Sequence, residues 1–91
     1  MEFLVRFEAN PPADMPAEER DRLRSQERQR AAELRAAGVL IRLWRVPGTR
    51  GVVGLWSAAD ATELHDALAS LPMFPWISAT VEPLATHPQE R

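Results

Sequence analysis

The chain lacks cysteine, lysine and tyrosine entirely, and these absences exclude several kinds of chemistry. Without cysteine there are no disulfides, thiolate nucleophiles or sulfur-ligated metal ions. Without lysine and tyrosine, an active site has no amine for a Schiff base and no phenol to act as an acid. Proton transfer is therefore left to carboxylates, to the two histidines or to water.

Long apolar runs and an excess of positive charge are also missing. No stretch approaches the roughly 20 apolar residues of a spanning helix, and the N-terminus has a strand pattern rather than a signal-sequence pattern. The net charge of −2 and the pI of about 5.6 favour neither nucleic acid nor an anionic membrane surface. We expect a cytoplasmic protein that binds no nucleic acid and no membrane.

The length of 91 residues suits one domain that spans residues 1–91. A chain this short buries only a modest fraction of its surface, so a partner subunit adds stability. We therefore expect a homo-oligomer of at least two copies.

The first part of the chain predicts a strand followed by a long helix. Phe3, Val5 and Phe7 recur with the period of two that is typical of a strand with one face in a core. Three prolines interrupt regular structure at residues 10–16. Residues 17–37 are rich in helix formers and contain neither glycine nor proline, which predicts a helix.

A carboxylate interrupts the apolar stripe of this helix. Helical spacing places Glu27 on the face of Leu23 and Ala31, four residues from each. A carboxylate in apolar surroundings tends toward a raised pKa, which suits a group that takes and returns a proton near neutral pH. The commoner alternative is a structural ion pair with Arg24 or Arg30, each three positions away.

The middle of the chain predicts a hairpin, with strands at 39–46 and 52–56 and a turn at 47–51. Strict alternation puts two sets of side chains on opposite faces of the first strand: Val39, Ile41, Leu43 and Arg45, and Leu40, Arg42, Trp44 and Val46. Both faces are largely apolar. We expect this chain's helices to cover one side of the sheet and another subunit to cover the other.

A second helix follows the hairpin. Ser57 or Asp60 can cap it, and Asp60 and Glu63 have the spacing of a capping box. Its apolar face includes Leu64 and Leu68, and Pro72 ends the pattern.

The last part of the chain predicts a strand and a tail. A corner at residues 71–76 leads into a strand from residue 77, which Pro83 closes, and residues 84–91 form an extended tail. The element order is therefore β-α-β-β-α-β. It predicts an α+β domain of the ferredoxin-like, split β-α-β class, with two helices on one face of a four-stranded antiparallel sheet.

Other residues offer binding chemistry. Arg45, with Trp44 beside it and Arg42 nearby, can place a guanidinium against a planar carboxylate, and a solvated arginine or an intersubunit ion pair is an equal alternative. His65 and His87 have no acidic partner at metal-ligand spacing, so we expect no metal site.

Three C-terminal motifs resemble those of the muconolactone delta-isomerase family. They are Leu64-His65-Asp66, Leu71-Pro72-Met73-Phe74-Pro75-Trp76 and Leu84-Ala85-Thr86-His87-Pro88. Length, element order and Leu43-Trp44-Arg45 followed by Gly48 agree as well, so the resemblance covers almost the whole chain.

The resemblance implies a cofactor-free isomerase of aromatic-compound catabolism, in the catechol branch of the 3-oxoadipate (beta-ketoadipate) pathway. Such an enzyme moves a proton across three carbons and converts muconolactone into the enol-lactone of 3-oxoadipate. The family also implies a large homo-oligomer, a decamer being one example, with sites at subunit contacts. The expected ligand is a small lactone or carboxylate.

The resemblance also implies roles for particular residues. Glu27 matches a family glutamate and is the expected proton shuttle, while Arg45 matches a family arginine and is expected to hold the substrate carboxylate. Further expected substrate-binding residues are Arg28, where we expect a lysine in the family, Trp44, Arg50, Phe74 and Trp76.

The hairpin departs from the family pattern. Thr49-Arg50-Gly51-Val52 occupies a run where typical members carry a polar-Tyr-Ala-Asn pattern. Losing a phenol and an amide removes directional hydrogen bonds, and Arg50 adds a cation. Two alternatives therefore stay open: a relative that isomerises or cyclises another small unsaturated or polyketide-like compound, and a non-catalytic small-molecule-binding or assembly protein.

Overall fold

The computed structural model describes all residues from Met1 to Arg91. The helices and strands are, in chain order, β1 (Glu2–Ala9), α1 (Ala17–Ala36), β2 (Leu40–Arg45), β3 (Val52–Ser57), α2 (Ala61–Ala69) and β4 (Ile77–Leu84). Single turns of 3-10 helix span Phe74–Trp76 and Pro88–Glu90. The predicted β-α-β-β-α-β order is confirmed.

The four strands form one antiparallel sheet in the order β2-β3-β1-β4. This order places β1 and β3 in the centre, with Phe3 opposite Trp56 and Val5 opposite Gly54. All four residues are buried, so this face of the sheet points into the core. The arrangement is the ferredoxin-like fold that the sequence predicts.

The core lies between this inner face and the two helices. Its members include Phe3, Val5, Leu40 and Trp56 from the sheet, Leu34 from α1, and Leu64 and Leu68 from α2. Burial of each large apolar side chain contributes roughly 1.5–3 kcal/mol to the free energy of unfolding.

The N-terminal part of α1 does not pack as tightly as its C-terminal part. Leu34 is the one buried residue of this helix, while Leu23 and Ala31 are only half-buried. Because the helix covers the sheet closely at one end alone, a gap remains between its N-terminal part and the inner face.

The two faces of β2 differ from the prediction because the strand contains a bulge. Leu40 lies opposite Trp56, but Arg42 lies opposite Leu55, so the register shifts between Leu40 and Arg42. The extra residue breaks the alternation and turns Leu40 into the core. The prediction that Leu40 shares a face with Arg42 was therefore wrong.

The prediction that Pro83 closes the last strand was also wrong, since β4 continues to Leu84. Pro83 lies opposite Phe3, and β4 has β1 as its single neighbour in the sheet. An edge strand tolerates proline because one side of it donates no ladder hydrogen bonds. The tail beyond it contains the 3-10 turn rather than extended chain alone.

No helix in the chain is both long enough and apolar enough to cross a bilayer.

The cap of α2 provides a test of the local structure. Asp60 Oδ1 accepts a hydrogen bond of 2.9 Å from Glu63 N, so Asp60 is the N-cap. We expect Asp60→Ala to lower the free energy of unfolding by about 1 kcal/mol in urea denaturation. Ser57→Ala is the matched control and should change it by less than about 0.5 kcal/mol, because Ser57 lies in β3. Equal losses in the two variants would contradict the assignment.

Candidate active site

A cavity of about 840 Å³ fills the gap between α1 and the inner face of the sheet. This volume lies within the usual range for small-molecule sites, roughly 300–1,000 Å³. Apolar walls come from several elements and include Phe7, Leu40, Leu43, Val52, Trp56 and Met73. The charged side chains that line it are those of Glu27 and five arginines.

Glu27 is the one carboxylate that lines this cavity. It projects from the middle of α1, as the helical spacing predicts, and it is half-buried. Its Oε2 atom accepts a hydrogen bond of 3.3 Å from Met73 N. Its Oε1 atom is buried and has no hydrogen-bond partner in the chain. One oxygen is thus held in place, and the other is buried without a partner in the chain.

Burial raises the pKa of the Glu27 carboxyl above its ordinary value, because desolvation disfavours the charged form. The Met73 N–H opposes this by stabilising the carboxylate and is the smaller influence on the pKa. Neither Arg24 nor Arg30 forms an ion pair with Glu27, and Arg30 pairs with Glu33 at 2.9 Å instead. Of the two roles that the sequence leaves open, this placement favours proton transfer over a structural ion pair.

The corner at residues 71–76 holds Glu27 in place. Leu71 and Met73 are buried, and the corner turns the chain between α2 and β4. This places the backbone N–H of Met73 against α1. Sequence reasoning missed this contact because a backbone donor has no side-chain signature.

Arg28, Arg45 and Arg50 line the cavity together with Glu27. The Arg45 Nη1 atom donates a hydrogen bond of 3.0 Å to the carbonyl oxygen of Arg50, which fixes the Arg45 side chain against the hairpin. The strand registers align Arg45 with Val52 and Val52 with Phe7. Arg45 and Arg50 therefore lie at the hairpin end of the cavity, and Arg28 lines it from α1.

Arg20 and Arg24 also line the cavity, and the sequence analysis did not identify either of them as a site residue. They precede Arg28 by eight and four residues, a spacing that puts all three on one side of α1. This spacing is the signal that could have identified them. None of the five cavity arginines forms an ion pair within the chain.

Three of the predicted substrate-binding residues lie outside the cavity of the single chain. Trp44 is 42% exposed on the outer face of β2, where the Arg42 guanidinium lies 5.2 Å from its ring centroid. Phe74 packs against the core and makes an edge contact with His65, with 5.8 Å between ring centroids. Trp76 is half-buried in the 3-10 turn. Their contact with substrate stays a prediction.

No group of three or more acidic or histidine side chains lies close enough together to hold a metal ion. The chemistry of the cavity is that of one carboxyl group of raised pKa facing an excess of guanidinium groups. It suits the binding of an anion next to a group that can remove or return a proton.

Comparison with known proteins gives one consistent result. The family model for muconolactone delta-isomerase matches residues 1–90. A muconolactone delta-isomerase from Cupriavidus pinatubonensis is 38% identical over 88 residues, covering 97% of this chain and 96% of the relative. A second relative, muconolactone delta-isomerase 2 from Acinetobacter lwoffii, is 36% identical over 87 residues, covering 96% of this chain and 91% of the relative.

A solved structure of muconolactone isomerase superposes on the fold with a TM-score of 0.89. It is 31% identical in sequence, and the match covers 97% of this chain and 92% of that one. Since sequence and fold agree over nearly the full length, the chain belongs to the muconolactone delta-isomerase family, as its C-terminal motifs predict, and is an isomerase of that type.

Proposed function

We propose that this isomerase acts on an unsaturated γ-lactone that carries a carboxylate, with muconolactone as the first candidate. The observation that carries the proposal is the Glu27 carboxyl group, which lines a cavity together with five arginines and whose buried Oε1 atom has no partner in the chain. An acid of raised pKa and an anion-binding surface are the two things that a proton shift in an anionic lactone requires.

Glu27 Oε1 is the atom that moves the proton. It removes the proton from the ring carbon that bears the carboxymethyl group, and the C–H electron pair becomes a new C=C bond. The original double bond shifts toward the carbonyl, which gives a dienolate with negative charge on the carbonyl oxygen. The protonated carboxyl then returns the same proton to the carbon next to the carbonyl, so that no cofactor enters the balance.

The Met73 N–H keeps Glu27 Oε2 in place during this cycle. A carboxylate held by one oxygen has fewer orientations to lose in the transition state, which favours transfer at the other oxygen. The raised pKa brings the proton affinity of Glu27 closer to that of a base working near neutral pH.

The arginines at the hairpin end bind the carboxylate of the substrate. Arg45 is the main candidate because its hydrogen bond to the Arg50 carbonyl orients the guanidinium group before substrate arrives. Arg50 adds a second cation at the same end of the cavity. Binding the remote carboxylate there positions the ring against Glu27.

A related unsaturated lactone is the second candidate substrate. Arg50 and Val52 both line the cavity, and both belong to the run that departs from the family pattern. The substitution of directional hydrogen-bond donors by a guanidinium favours a ligand with an additional anionic or acceptor group. Comparison of kcat/KM for muconolactone and for lactones with a second carboxylate decides between the two candidates. No turnover and no thermal stabilisation by any of them would support a non-catalytic role.

The cell compartment and the assembly belong to the same proposal. We place the enzyme in the cytoplasm, where small organic acids are catabolised, and we propose that it works as a homo-oligomer. The outer face of the sheet supports assembly: Trp44 lies opposite Val53, Leu4 lies opposite Leu55, and no helix covers them. Trp44 is strongly exposed, which is unusual for a tryptophan in a stable monomer.

Replacing Glu27 by glutamine tests the proton shuttle. We expect Glu27→Gln to lower kcat for muconolactone by roughly 10²–10⁴-fold, the usual contribution of a general base, as followed by the absorbance change of the lactone. Glu18→Gln is the matched control on the same helix, since Glu18 is exposed and away from the cavity. Turnover by Glu27→Gln at the wild-type rate would sink the assignment.

The raised pKa predicts a dependence of activity on pH. Only the carboxylate form of Glu27 can accept the proton, so kcat/KM should fall as the pH drops through the raised pKa of the free enzyme. The acid limb should lie above the pH at which an ordinary glutamate titrates, and the residual activity of Glu27→Gln should lack it. A limb at the ordinary value, or none, would contradict the role of burial.

The same shift predicts a gain in stability when the charge is removed. Because the folded state raises the pKa of Glu27, this group opposes folding above that pKa and ceases to do so as the pH falls below the value of the unfolded chain. We therefore expect Glu27→Gln to unfold at a higher temperature than the wild type at pH 7. At a pH low enough to protonate Glu27 in both the folded and the unfolded state, the two proteins should no longer differ in unfolding temperature for this reason.

Assembly is tested by light scattering after size-exclusion chromatography. We expect the wild type to elute as an oligomer and Trp44→Glu to shift toward smaller species, because a charge on the outer face opposes its burial. Thr62→Glu, on the exposed surface of α2, is the control and should leave the mass unchanged. A monomeric wild type at micromolar concentration would refute the proposal of a homo-oligomer and leave the assignment of substrate intact.

A further inference from the structure

Trp56 is a buried core residue whose indole N–H group has no part in the proposed mechanism. It lies in β3 and is 1% exposed, opposite Phe3 on one side and Leu40 on the other. Its side chain lines the cavity that contains Glu27. Its Nε1 atom is buried and has no hydrogen-bond partner in the chain. Buried indole N–H groups usually have a partner, so this unsatisfied donor calls for an explanation.

The position of the indole depends on Gly54. A Cβ atom at residue 54 would lie 2.6 Å from Trp56 Nε1, which is closer than real Cβ contacts, and 3.2 Å from Trp56 Cδ1, which is a tight contact. The nitrogen edge of the ring therefore occupies the space that any larger residue at this position would fill. Gly54 leaves room for the indole to fold back along β3, toward the hairpin end of the cavity.

Leu43 lies over the same point. Its Cδ2 atom would be 3.0 Å from a Cβ on Gly54, so it is a close neighbour of the indole nitrogen. Leu43 also lines the cavity and is 36% exposed, unlike the core residues around Trp56. A half-exposed leucine changes rotamer at little cost, which gives a ligand oxygen a route to the N–H group.

The cavity thus has two different ends. Arg45 and Arg50 lie at the hairpin end, next to Val52, and Trp56 lies four residues further along β3. At about 3.3 Å per residue along the strand, Trp56 and Val52 differ by roughly 13 Å in backbone position, and folding of the indole over Gly54 shortens this distance. A small lactone acid presents its carboxylate at one end and its ring carbonyl at the other.

We propose that Trp56 Nε1–H donates a hydrogen bond to the ring carbonyl oxygen of the lactone, and that Gly54 is the positioning residue that makes this possible. The inference rests on the proposed function, since it assigns a donor to the oxygen on which that reaction builds up charge. When Glu27 removes the proton, the electron pair moves through the conjugated system onto this oxygen. A donor placed there stabilises the dienolate more than the neutral lactone and so lowers the barrier.

A tryptophan that donates to the substrate and a tryptophan that only packs in the core are expected to differ in two measurable ways. A purely structural indole contributes ring volume, which phenylalanine partly replaces, and it has no preference for ligands that contain a carbonyl group. A donor to the carbonyl oxygen contributes one hydrogen bond that depends on the ligand and becomes stronger in the transition state.

Kinetics of Trp56→Phe provide the first test. We expect kcat for the substrate that the wild type turns over to fall by roughly 100-fold, with a much smaller change in KM, as is typical when one donor to a developing oxyanion is removed. Phe3→Leu is the control: it alters core packing directly opposite Trp56 at a residue that does not line the cavity, and it should change kcat much less. Loss of activity through a raised KM alone, or wild-type kcat, would overturn the proposal.

Binding of two unreactive ligands separates the hydrogen bond from the packing and does not depend on turnover. The probes are the saturated lactone 5-oxotetrahydrofuran-2-acetate and its carbonyl-free analogue tetrahydrofuran-2-acetate, measured by calorimetry. Trp56→Phe should weaken binding of the saturated lactone by about tenfold and leave the carbonyl-free analogue nearly unchanged. Equal weakening of both ligands would mean that Trp56 serves packing alone.

Gly54→Ala provides a second variant that retains Trp56, should the phenylalanine variant be poorly folded. Its methyl group displaces the indole nitrogen, so it should produce the same selective loss for the saturated lactone. The indole N–H resonance that disappears in Trp56→Phe should also move in the wild-type NMR spectrum when that lactone is added. An unmoved resonance at saturating ligand would overturn the inference. Absence of lactone turnover in the wild type, by contrast, would count against the proposed function itself.

Discussion

The hydrogen bond from Met73 N to Glu27 Oε2 is the contact on which the site depends. It joins the middle of α1 to the corner between α2 and β4, and these two parts of the chain are 46 residues apart in sequence. A half-buried carboxylate is costly without a donor, so the fold offers one backbone N–H and leaves the other oxygen unsatisfied. The corner at residues 71–76, which contains no group able to transfer a proton, thereby fixes the position of the carboxylate that we propose as the proton shuttle. The contribution of Met73 is to orient this carboxylate through its backbone N–H group.

The cavity owes its shape to uneven packing of α1. Leu34 anchors the C-terminal end of this helix in the core, whereas the N-terminal part presents arginines and Glu27 to a gap above the sheet. A tighter contact would bury more apolar surface and would also close the site. The three buried side-chain atoms without a hydrogen-bond partner, Arg20 Nε, Glu27 Oε1 and Trp56 Nε1, fit the same picture, since all three belong to residues that line the gap. The loose packing and the unsatisfied atoms lower the stability of the fold, and such a loss is common at sites that bind a ligand.

Much of the fold and part of the site could be predicted from sequence periodicity. The period of 3.6 placed Glu27 on the inner face of a helix, and the same reasoning extended backward would have placed Arg20 and Arg24 beside it. Other features are not written in side-chain patterns. The Met73 donor belongs to the backbone, and the bulge that turns Leu40 inward depends on how β2 pairs with β3 rather than on its own sequence. Such contacts arise only when distant segments meet.

The arginines around the cavity also bear on how substrate arrives. The chain as a whole is negative, with a net charge of −2, yet the cavity contains five guanidinium groups and a single carboxyl group. A cavity that is positive within a negative chain attracts an anion more than the rest of the protein does, which raises the rate of productive encounters. Fields of this kind are screened beyond a Debye length of about 8 Å at physiological ionic strength. The charge distribution thus makes capture of the anion faster in dilute buffer than in concentrated salt, while the chemical step inside the cavity proceeds alike in both.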